Sequence, residues 1–156
     1  MASNHALKTA CETNVRNGIS TMYPFTSHVI RLIDATDVGK QINQLNPCDF
    51  IVHLHVNAPK PFESNVVYIE CKATKSVERF AFSCLEDSQV RGMNRAVDLQ
   101  IPYYVVFWMA QHNRWFVIPA QAIQQAKYEG KKSFSLKDLE KFSVPDHKQL
   151  WNLSDV

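Results

Sequence analysis

Apolar and polar positions divide this chain into a short series of elements. Residues 5–17 have helix-compatible composition, with Ala6, Cys11 and Val15 roughly on one side. Val29-Ile30-Arg31-Leu32-Ile33 reads as a strand. A second strand is predicted over about 49–56: Phe50, Val52, Leu54 and Val56 form one face, and Asp49, Ile51, His53 and His55 form the other. A third follows over about 66–72. Phe82, Leu85, Gln89, Met93, Ala96 and Val97 fall at 3.6-residue spacing and predict a helix over about 82–98. The unbroken apolar run Tyr103 to Met109 predicts a buried central strand. Gln111-His112-Asn113-Arg114 turns the chain, and Trp115 to Ile118 returns as another strand. Pro119 opens a helix of about 120–128, and Ser135-x-x-Asp138 resembles a capping box for a last helix of about 136–141. Ala35 to Pro47 reads as a polar loop. Asn57 to Asn65, with two prolines and two asparagines, reads as another. The order α-β-β-β-α-β-β-α predicts an α/β fold with a mixed central β-sheet flanked by helices.

Composition narrows the class without naming a function. A chain of 156 residues is expected to form a single domain with a real core. Its 46% hydrophobic and 21% charged residues are ordinary globular values. No apolar run reaches the length of a membrane span, and the N-terminus lacks the apolar core of a signal peptide. Cys11, Cys48, Cys71 and Cys84 show no CxxC spacing and are expected to be reduced thiols of a cytoplasmic protein. A net charge of +2 argues against a polyanion-coating protein but allows a local basic face.

The chemistry concentrates at Glu70-Cys71-Lys72. It closes the run Asn65-Val66-Val67-Tyr68-Ile69, and Asp49 heads the preceding strand. Alternation along a strand puts Glu70 and Lys72 on one face. If the intervening loop centres near Lys60 and Pro61, Asp49 stands opposite Lys72 and diagonal to Glu70. Such neighbours lie about 5 Å and about 7–8 Å apart, close enough for two carboxylates to share a divalent ion. In this reading Asp49, Glu70 and the Cys71 carbonyl hold Mg²⁺, with Mn²⁺ able to replace it, and Lys72 orients or deprotonates the attacking water. Asp49 could instead cap a strand start, and Glu70 could simply pair with Lys72 at the surface. Gln89 lies on the apolar face of its helix, so it is either buried with a partner or aimed at the site. Glu12 is a candidate further acid, with a solvated helix position as the expected alternative. His53 and His55 share a strand face near Cys48 and could begin a zinc site, but no fourth ligand is evident.

An acid at a strand head, an acid-x-lysine on the next strand, a helix and then an apolar strand together resemble the core of PD-(D/E)xK nucleases. Pro47-Cys48-Asp49 stands at the "PD" portion. Glu70-Cys71-Lys72-Ala73-Thr74 is similar to the Glu-Ala-Lys-Glu-Thr segment of RecU-type Holliday junction resolvases. Gln89 and Met93 match the glutamine and methionine of that family's His-Gln-x-x-His-Met segment, although Ser88 and Gly92 replace its histidines. Pro102 to Trp108 matches its apolar strand, and Gly130-Lys131-Lys132-Ser133 resembles its Gly-Arg-Lys-Ser segment. Over roughly residues 47–140 the resemblance implies a restriction-endonuclease-like α/β sandwich, a catalytic role for Gln89 and a Mg²⁺-dependent endonuclease that leaves a 5′-phosphate. It also implies DNA, specifically the four-way junction, as partner. Two symmetric nicks imply a C₂ homodimer. Met22-Tyr23-Pro24-Phe25 or the aromatic strands are candidate dimer surface.

Lys75, Arg79, Arg91, Arg95, Lys131 and Lys132 are the candidate DNA contacts, with Lys8 and Arg16 as possible additions from the first helix. Arg91 and Arg95 are spaced i, i+4 and form a stripe. Contacts of this kind fix position rather than read sequence. The competing expectations are a restriction-type or repair nuclease of the same superfamily, a non-catalytic DNA-binding protein of the same fold, and a zinc-binding interaction module built on His53 and His55. A compact stand-alone resolvase would suit a phage or other mobile element.

Overall fold

The computed structural model describes residues 3–25, 27–32, 46–55, 65–75 and 78–146. The predicted loop segments 35–45 and 57–64 lie outside them. Helix α1 spans Asn4–Met22, and the Ser3 hydroxyl caps it by accepting the Ala6 N–H at 3.2 Å. The helix outruns the predicted 5–17 because its buried stripe continues through Leu7, Cys11, Val15, Gly18 and Ile19. Ala6, expected on that stripe, is exposed, and Leu7 takes its place.

Strands β1 (Ser27–Arg31), β2 (Phe50–Leu54) and β3 (Val66–Thr74) follow, then a short β4 (Arg79–Ala81). After α2 (Asp87–Asp98) come β5 (Tyr103–Met109), β6 (Arg114–Pro119) and α3 (Ala120–Tyr128). The described chain closes with β7 (Ser133–Ser135), α4 (Leu136–Leu139) and β8 (Ser143–Val144). Six strands form one sheet in the order β1-β2-β3-β5-β6-β8, and β4 pairs with β7 in a second, two-stranded sheet. Among the described strands of the main sheet only β3 and β5 run parallel, as the α2 crossover between them requires.

Alternation along the strands gives the main sheet two apolar faces. Cys11, Val15 and Ile19 of α1 pack on Phe50, Val52, Val67, Ile69 and Cys71. On the opposite face, Met93 of α2 and Ile123 and Ala126 of α3 pack on Tyr103, Val105, Phe107 and Ile118. At the far end of the first face the rings of Trp108 and Trp115 stack at 5.2 Å. The Asn113 carbonyl oxygen accepts both indole N–H groups, at 3.2 and 3.3 Å.

Two sequence expectations need correction here. The helix expected over 82–98 is a 3₁₀ turn at Phe82–Cys84 followed by α2, which starts only at Asp87. The apolar periodicity is real across both pieces. Phe82 is buried in the same core cluster as Met93 and meets the rings of Phe80 and Phe134. The β2–β3 register also differs: Phe50 pairs with Ile69 and Val52 with Val67, two residues from the predicted alignment. A shift of two preserves which face each side chain occupies. Extending the ladder one step places Asp49 beside Glu70 rather than opposite Lys72.

Candidate active site

Asp49 lies directly before β2, and its backbone N–H donates to the Ile69 carbonyl at 3.0 Å. Its side chain is buried, and Oδ2 accepts the Cys71 N–H at 2.7 Å. Cys71 thus meets Asp49 through its backbone amide, while its thiol is buried in the α1-side core. Glu70, in the middle of β3, has no exposed surface. Its Oε1 accepts Gln89 Nε2 at 2.6 Å and faces Lys72 Nζ at 3.1 Å. Glu70 Oε2 is buried with no hydrogen-bond partner among the described residues. A buried carboxylate oxygen without a donor disfavours the charged form. Burial, and after it the negative charge of Asp49, push the Glu70 carboxyl up to about 8, against the opposing pull of Lys72.

Gln89 ties this acid to its lysine. Its Oε1 accepts Lys72 Nζ at 3.0 Å and the Glu86 N–H at 2.9 Å, while its Nε2 serves Glu70. Helix α2 lies close to the segment that leads into Asp49. A Cβ on Gly92 would fall 2.6 Å from Pro47 Cα and 2.8 Å from its carbonyl oxygen. Glycine at 92 therefore lets the helix close on the strand that delivers Asp49. Pro47 is fixed further by Tyr103, whose hydroxyl donates to its carbonyl at 2.6 Å.

A second group reaches the same acids from α1. Glu12, expected to be a solvated position, is 7% exposed. Lys8 Nζ lies 3.3 Å from Asp49 Oδ1 and 3.7 Å from Glu12 Oε1, and Arg31 Nε donates to Glu12 Oε2 at 3.0 Å. Glu12 is bracketed on the helix by Cys11, Val15 and Ile19, so its burial was legible in the same stripe. Arg31 is the functional-region residue that sequence reasoning did not single out. Its signal was alternation along β1, which sets it opposite Phe50 in the ladder. Arg31 and Arg16, with His5 and Thr9, line a cleft beside Glu12.

The residues present fit a divalent cation at Asp49 and Glu70. The two acids are neighbours, and Glu70 Oε2 is an unpartnered oxygen that a cation would satisfy. Mg²⁺ characteristically takes one or two carboxylates and keeps several waters, so a third protein acid is not required. Among the described residues, no group of three or more His, Cys, Asp or Glu side chains is arranged to hold a metal. His53 and His55 are exposed, and His53 meets the His28 ring edge-on at 6.3 Å. Burial, and next the charge on Glu70, push the Cys48 thiol up to about 12, so it offers no ready thiolate.

The candidate DNA contacts separate into two groups. Arg91 and Arg95 are exposed on α2, two and six residues beyond Gln89, its contact with the site. Lys75, Arg79, Lys131 and Lys132 are exposed around the end of β3 and the small β4–β7 sheet. Lys131 Nζ is held by Asp138 at 3.1 Å. The four cysteines form no disulfide, and no described helix is long and apolar enough to cross a membrane.

No protein-family profile and no curated protein sequence matches this chain. Among solved structures it is similar to Hjc, a Holliday junction resolvase of the archaeal hyperthermophile Archaeoglobus fulgidus. The two are 16% identical with a TM-score of 0.57, and the match covers 92% of this chain and 98% of that one. This likeness supports a resolvase-type fold without singling out the RecU type. The likeness shows that the chain shares the fold of that structure, a mixed sheet between helices, over 92% of its length.

Proposed function

We propose that this protein is a metal-dependent endodeoxyribonuclease acting on branched DNA, with the four-way junction as its preferred substrate. One observation carries the reading: Glu70 is wholly buried beside Asp49, one of its oxygens is unpartnered, and the other is gripped by Gln89 and Lys72. A purely structural core has no physical need for this combination, since an unpaired buried acid destabilises it. The shared fold with a junction resolvase supports the choice of substrate.

Asp49 and Glu70 would hold Mg²⁺, or Mn²⁺ in its place, with the Cys71 carbonyl as a further oxygen. Bound there, the ion would neutralise charge on the scissile phosphate and lower the pKa of a water. Lys72, 16% exposed at its side chain, would orient that water. Gln89 is a positioning residue: it fixes Glu70 and Lys72 relative to each other. The Cys71 N–H holds the Asp49 carboxylate in place. Lys75, Arg79, Arg91, Arg95 and Lys132 would seat the phosphate backbone, and Lys131 would have to leave Asp138 to join them. Paired nicks call for a homodimer. Phe25, 95% exposed at the end of α1, is an apolar group available for its interface.

The test is cleavage of labelled substrates in Mg²⁺: an immobile four-way junction, a linear duplex and a single strand. Paired nicks on the junction, abolished in Asp49→Asn and Lys72→Ala, are expected. Cutting of linear duplex at one sequence would point instead to a restriction-type enzyme. Junction binding without cleavage of any substrate would leave a non-catalytic protein of the same fold.

A further inference from the structure

Lys8 stands where a second cation would interfere with a metal at Asp49. It lies one helical turn before Glu12, so both side chains leave α1 on the same side. Its ammonium spans two buried carboxylates from different elements, 3.3 Å from Asp49 Oδ1 and 3.7 Å from Glu12 Oε1. The remaining oxygens of both acids are engaged, Asp49 Oδ2 by the Cys71 N–H and Glu12 Oε2 by Arg31. Asp49 Oδ2 already takes the Cys71 N–H, so an ion that binds Oδ1 meets Lys8 on it. Ammonium contacts its oxygen at hydrogen-bond distance. Mg²⁺ binds oxygen at about 2.0–2.1 Å and demands near-octahedral geometry. Two cations on one carboxylate oxygen repel strongly in a partly desolvated setting. Lys8 can yield, because its side chain is 34% exposed on a flexible four-carbon stem.

We propose that Lys8 is a resident cation that compensates Asp49 and Glu12 in the metal-free protein and is expelled when a divalent ion binds. Lys8 then sets metal affinity: the protein folds with its acids neutralised, and each binding event must displace the ammonium. This rests on the metal-site reading of Asp49 and Glu70.

The experiment measures Mn²⁺ binding to DNA-free protein by the loss of the free-ion electron paramagnetic resonance signal. Wild type, Lys8→Met, Lys8→Gln, Lys127→Met and Asp49→Asn would be compared. Lys8→Met should bind Mn²⁺ about tenfold or more tightly than wild type. Lys127→Met, the same charge change on an exposed site of α3, should stay within about twofold. Without metal, Lys8→Met should melt below wild type, and saturating Mn²⁺ should close or reverse that gap. Lys8→Gln replaces it if the methionine variant does not fold. Displacement itself is read by amine-reactive labelling with mass spectrometry. Mg²⁺ should speed modification of Lys8 and leave the exposed Lys127 unchanged. Equal Mn²⁺ affinity in wild type and Lys8 variants, or unchanged Lys8 labelling, overturns the proposal. Wild type binding Mn²⁺ no better than Asp49→Asn would instead remove the metal site on which it rests.

Discussion

Replacing Glu70 with glutamine should stabilise the metal-free protein at alkaline pH and leave it almost unchanged near pH 5. Glu70 has an ordinary carboxyl value of 4.5 in the unfolded chain and about 8 in the folded one. Between those values the folded state holds a proton that the unfolded state has released. Stability therefore falls as pH rises through that window. A tenfold change in proton affinity is about 1.4 kcal/mol, so the full loss is roughly 5 kcal/mol. That is a large share of the roughly 5–15 kcal/mol that separates most native domains from unfolding. Glutamine retains the oxygen that Gln89 and Lys72 grip and carries no charge to desolvate. The assay is urea unfolding in EDTA at pH 5 and pH 8.5, for wild type and Glu70→Gln. With a urea slope of about 2 kcal/mol/M, the variant's midpoint should exceed wild type by about 2 M at pH 8.5. The two should nearly coincide at pH 5. Titrations of groups that do not interact with Glu70 are common to both proteins and cancel in the difference. A difference that does not grow with pH would refute the assignment of a high Glu70 proton affinity to its burial.

Gln89→Ala should lower junction cleavage by about 10–100-fold, the usual loss when a group orienting metal ligands is removed. It should also remove about 1 kcal/mol of stability with the freed Glu86 amide, measured by thermal melting. Gly92→Ala should destabilise by roughly 1–3 kcal/mol, because its Cβ meets Pro47 backbone that cannot swing aside. The same variant should lose activity beyond that loss, since α2 carries Gln89 away from Glu70. Asn113→Ala should cost roughly 1–3 kcal/mol in chemical denaturation. It strips the acceptor shared by Trp108 and Trp115 and leaves alanine at a φ of 47°.

The main architecture was legible because its elements are long enough for periodicity to speak. Tyr103–Met109 was unmistakable as a central strand, and helix α3 spans the same residues in sequence and structure. The three-residue β4 and β7 and the two-residue β8 were not anticipated, because strands so short carry almost no alternation. Asp49, Glu70, Lys72 and Gln89 were nominated by spacing and resemblance, and the structure brings them together. The β2–β3 register depended on a loop centre that alternation cannot locate, and it was wrong by two residues. Glu12 was undervalued because its charge outweighed its position in the α1 stripe. The closeness of α2 to Pro47 had one trace in sequence, the glycine at 92, read only as a departure from a motif. The Lys8–Asp49 contact depends on how α1 lies across the strand ends, which one chain's pattern does not specify.

One amide of Gln89 is shared between the start of α2 and the candidate site. Its oxygen receives Lys72 and the Glu86 backbone N–H together. Anything that draws the lysine toward a ligand redistributes the electron density that the Glu86 amide senses. The Glu86 amide resonance and its hydrogen-exchange rate are therefore an intrinsic, label-free gauge of site occupancy. The coupling also runs backward: a frayed first turn of α2 would free Gln89, loosen Lys72 and silence the site without any change at the acids themselves.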